Sequence, residues 1–495
     1  MTVPEGFLPT EVLLLIAHGI TDLADLLNLR LTNSQFYGIV SPRVWENLCI
    51  DLTTSRRRSI ENTQVVTFDQ VNMQEVFRSL EGDQSYVLKR SISFTRNMTI
   101  HLDRKNFSSL DLSRISDTER QLETFDDVVL ELLTKLSHCT DELRMVNFRA
   151  ENCSKDRVSR WLGQISKCFP NVENNVTISG WAPLDRMFLE SEILGNTKNL
   201  TLNLSNESFL SILPHGKASE GIKSLSLFNY GWLTLDRNTL SQFLSNCKHL
   251  EHLYTNIVPE PYRFDWVPQT VTSLHTEISL PWHHPTSLLQ PSPGDPVHLP
   301  NVNSLTIFTN SERVFESVIM ENLKQLTLFL DWEVMERNYN WMEDLNVYLF
   351  SRSPKISHLY CEAQSSLPIV DSCGESLKTL KVDCSEENTM ECHLGCTFSC
   401  CPNLEMLILV MCCWQPLQMA SMLKHLSKTC KQLKQVYFVD FCGPRKPEYS
   451  FFTHDVTGKV EIFHDPFKTP LNSFSLLVNM DEFNQNFSVD YIYSV

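Results

Sequence analysis

One short pattern recurs along most of this chain and limits what it can fold into: apolar-x-x-apolar-x-apolar. It occurs as Leu143–Val146–Phe148, Ile222–Leu225–Leu227, Val302–Leu305–Ile307 and Leu323–Leu326–Leu328, and again as Ile356–Leu359–Cys361, Leu377–Leu380–Val382, Leu404–Leu407–Leu409 and Leu433–Val436–Phe438. Weaker copies start near Glu173, Thr197, Leu250 and Val271, and successive starts lie 21 (Leu250 to Val271) to 33 (Leu323 to Ile356) residues apart. The alternation of apolar and polar positions is the period of a strand with one buried face. Asn238 to Cys247 and Leu417 to Cys430 have room and pattern for helices, each followed by a Lys-x-Leu run into the next strand. A single copy cannot bury its own apolar face, so the copies must stack. Independent strands of an ordinary α/β domain are the rival reading.

The spacing resembles that of leucine-rich repeats, which carry one strand per copy at periods of about 20–29 residues. The resemblance implies a curved α/β solenoid with parallel strands and helices on the convex side. Apolar strand positions then point into the core, and the intervening residues face the concave surface. On that surface Tyr254, Phe308, Phe329, Tyr360 and Tyr437 are expected to meet a protein substrate, since aromatic anchors dominate interfaces. The alternative is that inserted loops or the C-terminal tail cover them. Upstream, Leu122, Phe125, Val129, Leu132, Leu133 and Leu136 line one face of an expected helix, with Asp126, Asp127 and Lys135 off that face. Met98 to Leu102 reads as a strand. Pro281 to Pro300 holds six of the 23 prolines and reads as an exposed loop between repeats. Beyond Gly443 the pattern is lost.

The first fifty residues are different. Pro9 suits a first helical turn, Val12, Leu15 and Ile16 recur at helical spacing, and Gly19 stops the helix. Thr21 or Asp22 can cap a second helix with Leu23, Leu26 and Leu27, and Thr32 or Asn33 a third with Phe36, Ile39 and Val40, ended before Pro42. Leu13 and Leu14 make the first helix apolar nearly all round, and a module this small cannot cover it alone. Leu8-Pro9-x-Glu11 with Val12, Leu15 and Ile16, then Asp25-Leu26-Leu27-x-Leu29-Arg30-Leu31-Thr32, then Phe36 and Val44-Trp45, resemble an F-box. An apparent one-residue insertion between Ile20 and Asp25 departs from that pattern. The resemblance implies docking on a Skp-type adaptor, and through it on a cullin, by Leu8, Pro9, Glu11, Val12, Leu15, Ile16, Leu26, Leu29, Phe36 and Trp45. It implies a non-catalytic substrate-recognition subunit of an SCF-type ubiquitin ligase. The alternative is a repeat-based interaction scaffold whose F-box serves non-ligase assembly. The expected organisation is an all-α F-box at 1–52, a linker and cap at 53–135, repeats at 136–442 and a C-terminal cap or tail at 443–495.

Composition narrows the function classes. A net charge of −17 disfavours nucleic acid, whose phosphates need clustered Lys and Arg; the dense basic run Arg56–Arg58 reads as a solvated linker. No apolar run reaches the roughly 18 residues of a membrane span, and Val12 to Ala17 is too short for a signal peptide. An intracellular chain, cytoplasmic and/or nuclear, is expected, with its 16 cysteines as thiols. Walker-type, dinucleotide, HExxH and GxSxG motifs are lacking, so no catalytic residue and no cofactor are expected. Eleven cysteines fall between Cys361 and Cys442. The group Cys384, Cys392, His393, Cys396, Cys400, Cys401, Cys412 and Cys413 holds zinc-ligand chemistry. Its C-x3-C-x3-C spacing is not that of a knuckle, so buried structural thiols are expected instead, with no metal. His283 and His284 read as loop residues.

Overall fold

The computed structural model describes residues 40–42, 44–52, 65–68, 85–103, 126–127, 129–151, 153, 155–180, 197–204, 220–229, 237–256, 263–278, 295–309, 312–330, 341–362, 369–383, 398, 400–411, 416–440, 460–461 and 474–480. The chain divides into two units, Met1–Leu250 and Glu251–Val495. The fold class is α/β, and each unit is a solenoid-like ladder of mainly parallel strands.

In the first unit the strands are β1 (Asn47–Leu52), β2 (Val65–Phe68), β3 (Asn97–Asp103), β4 (Met145–Glu151), β5 (Glu173–Gly180), β6 (Thr197–Leu204) and β7 (Ser224–Asn229). All pairings among them are parallel; β1 lies between β2 and β3, and β3 to β7 follow in chain order. Apolar residues stack in columns across neighbouring strands, such as Ile50, Ile100, Phe148, Val176, Leu200 and Leu225. All six are buried. The helix Lys155–Cys168 adds Val158, Trp161, Leu162 and Ile165 to the core at i, i+3, i+4 and i+7. Strand pairing thus begins at Asn47, well before the motif sets in at Leu143. The alternation of Leu48, Ile50 and Leu52 explains it, since all three are buried.

In the second unit the main ladder runs β8 (His252–Thr255), β9 (Ser273–Ile278), β11 (Ser304–Thr309), β13 (Gln325–Leu330), β14 (His358–Glu362), β15 (Thr379–Asp383), β16 (Met406–Met411) and β17 (Gln435–Asp440). All are parallel and in register. The second apolar position of each motif forms one column, Leu253-Leu274-Leu305-Leu326-Leu359-Leu380-Leu407-Val436, and every member is buried. Burying one such leucine contributes about 1.5–3 kcal/mol, so the repeated column is a main source of cohesion. Two antiparallel strands follow: β19 (Phe474–Asn479) pairs with β17 and with β18 (Val460–Glu461).

The first apolar position of the motif is not in the strand. It sits two residues ahead, in a tight turn whose amide donates three residues back: Val302 to Leu299, Leu323 to Met320, Leu377 to Gly374, Leu404 to Cys401 and Leu433 to Cys430. The next strand is locked on by one carbonyl accepting two amides. Asn303 O takes Lys324 N and Gln325 N, Lys378 O takes Glu405 N and Met406 N, and Glu405 O takes Lys434 N and Gln435 N. These bonds satisfy the backbone polar groups that each repeat leaves at its strand edge.

Two sequence expectations need correction. Asp126, placed off the apolar face, is buried: its carboxylate accepts from Arg157 Nε at 2.7 Å and Nη2 at 2.8 Å. This bidentate pair ties the segment 126–137 to the helix Lys155–Cys168, and a carboxylate is stable at such a site only with such a partner. The proline-rich stretch is not loop throughout. Its described end forms β10 (Val297–His298), which pairs parallel with β12 (Val318–Ile319) and buries Leu299. Residues 281–294, with His283 and His284, lie outside the described residues, as does Arg56–Arg58.

Candidate functional site

In the second unit the residues between the apolar columns project from the opposite face of the sheet, because successive strand residues alternate sides. Four of the five aromatic positions singled out in the sequence come together there as one ridge. Tyr254 stacks on His275 with centroids 3.5 Å apart, His275 lies 5.8 Å from Phe308, and Phe308 stacks on Phe329 at 4.6 Å and 8°. Phe329 meets Tyr360 edge to face at 4.8 Å. The ring spacing follows the strand spacing, since in-register strands lie about 4.8 Å apart. Tyr254, Phe308, Phe329 and Tyr360 stay half-buried, while His275 is buried beneath the ridge.

Polar groups frame these rings. Lys381, next to Tyr360 in the ladder, is buried, and its Nζ sits 4.0 Å from the centre of the Tyr360 ring. The Tyr360 hydroxyl donates to Asp383 Oδ2 at 3.1 Å. Burial lowers the Lys381 ammonium to about 8, with Asp383 opposing the drop. At the other end, Glu277 is exposed and lies beside Phe308 in the register. Burial, and then Glu277, raise the Tyr254 hydroxyl. His275, Lys381, Asp383 and Glu277 complete the site that the four ridge aromatics only outline; each falls in the same two columns of outward positions, which is the signal that locates them. Tyr437 lies further along the same column of outward positions, outside the ridge. It packs with Met406 against Ile408 and Val410, a small apolar cluster whose two central residues are buried.

In the first unit, outward strand positions of β4, β5 and β6 carry asparagines. Asn199 donates to Asn175 Oδ1 at 2.6 Å and Asn175 to Asn147 Oδ1 at 2.7 Å, an amide ladder across three strands. A cleft of 570 Å³ between the helices lines up Leu130, Thr134, Gln164 and Lys167 with the Asp127–Arg160 ion pair. It is polar and open, unlike an apolar small-molecule site with a few convergent polar groups.

Ten cysteines are described, and six of them, Cys49, Cys153, Cys247, Cys361, Cys401 and Cys430, are buried. Cys247, Cys401 and Cys430 accept the motif's turn bond and are buried, so thiols occupy a repeated structural position. Burial pushes Cys247 and Cys373 up to about 12 and also raises Cys401 and Cys430. Such thiols are poor nucleophiles. Cys384, Cys392, His393, Cys396, Cys412 and Cys413 lie outside the described residues. Among the described residues no group of three or more His, Cys, Asp or Glu could hold a metal ion. No described helix is long and apolar enough to cross a membrane.

Of the expected adaptor-facing residues, Leu8, Pro9, Glu11, Val12, Leu15, Ile16, Leu26, Leu29 and Phe36 lie outside the described residues; Trp45 is described and buried. A repeat ladder that presents an aromatic face has the chemistry of a protein-binding surface. Residues 6–51 match the F-box-like family model, so this segment is an F-box-like domain. No curated protein matches the chain. Among solved structures, a crystal structure of a Bacteroides fragilis protein, a structural genomics target, is similar at 12% identity with a TM-score of 0.25. The match covers 58% of this chain and 64% of that one, so the chain spans less than two thirds of that protein's length.

Proposed function

We propose that this chain is a substrate-recognition subunit of an SCF-type ubiquitin ligase. The F-box-like domain docks on a Skp-type adaptor, and through it on a cullin, while the repeats hold a target protein near the ubiquitin-charged enzyme. The chain contributes no chemistry of its own and works inside the cell, in the cytoplasm and/or nucleus. The observation that carries the reading is the union of an F-box-like match at 6–51 with repeat ladders that present an aromatic ridge. Leu8, Pro9, Glu11, Val12, Leu15, Ile16, Leu26, Leu29 and Phe36 face the adaptor, with Trp45, buried at the end of the module, holding the set in place. Tyr254, Phe308, Phe329 and Tyr360 face the target, and Tyr437 extends that face toward the end of the ladder.

Co-purification tests it. Leu8→Ala with Pro9→Ala should abolish recovery of the adaptor, because truncating central interface residues costs about 2 kcal/mol or more each. Adaptor recovery unchanged by the double substitution would falsify the docking role. Adaptor without cullin in the wild-type preparation favours the non-ligase scaffold.

A further inference from the structure

The two ends of the aromatic ridge differ in charge. At β15 a cation already sits on a ring beside a carboxylate. The Lys381 ammonium lies 4.0 Å from the centre of the Tyr360 ring, and Asp383, two residues along the same strand, accepts from the Tyr360 hydroxyl. Burial brings Lys381 only to about 8, so it stays charged at neutral pH, opposite Asp383. This end is balanced within the chain. At β9 two of the same three parts recur. Phe308 stacks on Phe329 on one side, and on its other side its partner in the register is Glu277. Glu277 is exposed, and no ion pair engages it among the described residues. Its charge also acts on the Tyr254 hydroxyl, one strand beyond. Ring and carboxylate are in place there, and among the described residues none supplies the cation.

We propose that the Glu277 end of the ridge seats one arginine side chain of a partner protein, its guanidinium laid on the Phe308 ring and its N–H groups turned to the Glu277 carboxylate. A planar guanidinium suits both parts, since it stacks on an aromatic face and bonds a carboxylate through two N–H groups at once. Neighbouring strands about 4.8 Å apart place the carboxylate one step from the ring, within reach of a group that touches both. Lys381 on Tyr360, with Asp383 beside it, is an occupied example of the same set within the chain. An acidic side chain would instead meet Glu277 on a chain of net charge −17. Toward β14 the ridge offers only Phe329 and Tyr360, so the partner residues that follow the arginine along it are apolar. The β15 end asks for no charge from the partner, because Asp383 and Lys381 already answer each other. The inference rests on the ridge being the target-facing surface, as proposed above.

The test uses the full chain co-expressed with the adaptor and two fluorescent seven-residue peptides of leucine, valine and alanine. They differ at one position, which is arginine in one and its neutral isostere citrulline in the other. Fluorescence anisotropy should show the arginine peptide binding at least about tenfold tighter, equivalent to roughly 1.4 kcal/mol. Glu277→Gln, at an exposed position, should bring the two peptides to within about twofold of each other and leave circular dichroism unchanged. Asp383→Asn, at the other end, should leave the preference intact. Phe308→Leu keeps apolar volume but removes the ring, and should reduce the preference severalfold; if that variant fails to fold, Glu277→Gln decides alone. Equal binding of the two peptides, no binding of either, a preference that survives Glu277→Gln, or one lost equally in Asp383→Asn overturns the assignment. Adaptor recovery is scored in the same preparations, so its loss counts against the receptor role, whereas loss of the arginine preference counts only against the ligand class.

Discussion

Lys381 shows how one residue on the aromatic face shapes the behaviour of its unit. Burial favours its neutral form, bringing its pKa to about 8 from 10.5. Between these values the unfolded chain keeps a proton that the folded chain has released. Unfolding then takes up a proton, and stability rises with pH through that window, by at most about 1.4 kcal/mol per pH unit. Below pH 8 both states hold the proton and the penalty is constant. The buried thiols act in the opposite sense. Cys247 and Cys373 ionise near 9.0 when unfolded but are pushed up to about 12 in the fold, so their contribution falls as pH rises from 9.0. The two effects separate in a comparison of variants. Urea midpoints of Lys381→Met should exceed those of the wild type at pH 7, and the difference should shrink steadily from pH 8 to pH 10. A difference that stays flat with pH would mean that Lys381 titrates normally in the fold.

At the scale of the element, close approach between successive repeats is concentrated at the turns. Gly374 opens the turn Gly374–Ser376, and a Cβ there would fall inside contact distance of the Cys400 backbone carbonyl and 3.1 Å from Val370 Cγ1. The carbonyl cannot yield as a flexible side chain would, so Gly374→Ala should destabilise by about 1–3 kcal/mol, seen as a lower urea midpoint with an unchanged slope. A neutral result would mean that the neighbouring repeat shifts freely. The strands themselves were legible in the sequence because their code is side-chain periodicity: Leu305-x-Ile307 and Leu326-x-Leu328 announce buried positions directly, and the outward columns follow by alternation. The ridge was legible for the same reason. The bonds that fix the register were not, since a carbonyl such as Lys378 O accepts two amides whatever its side chain. Asp126 was misplaced because its partner, Arg157, lies 31 residues away and no local pattern couples them. The early strand β1 was hidden because Leu48, Ile50 and Leu52 fall inside the stretch whose residues resemble an F-box, where a helical pattern is expected up to Leu52.

At the scale of the whole molecule, apolar surface is covered in one part of the chain and in need of a cover in another. The repeats bury their apolar columns within their own ladders, but the first helix expected from the sequence of the F-box-like domain carries Val12, Leu13, Leu14, Leu15 and Ile16 in one unbroken run. Five consecutive apolar residues cover every direction around a helix, so one face of the three-helix module cannot satisfy them all. Exposed apolar patches of this kind drive association with whatever surface is at hand. If the adaptor is the natural cover, the chain expressed alone should aggregate, and co-expression with the adaptor should raise its soluble yield severalfold. Leu13→Glu with Leu14→Glu should then raise the yield of the chain expressed alone and reduce adaptor recovery, because the same side chains serve both. Circular dichroism of the soluble double variant should match that of the wild type. A yield indifferent to the adaptor would show that the chain covers this helix itself, and would turn attention from docking to an internal contact of the first fifty residues.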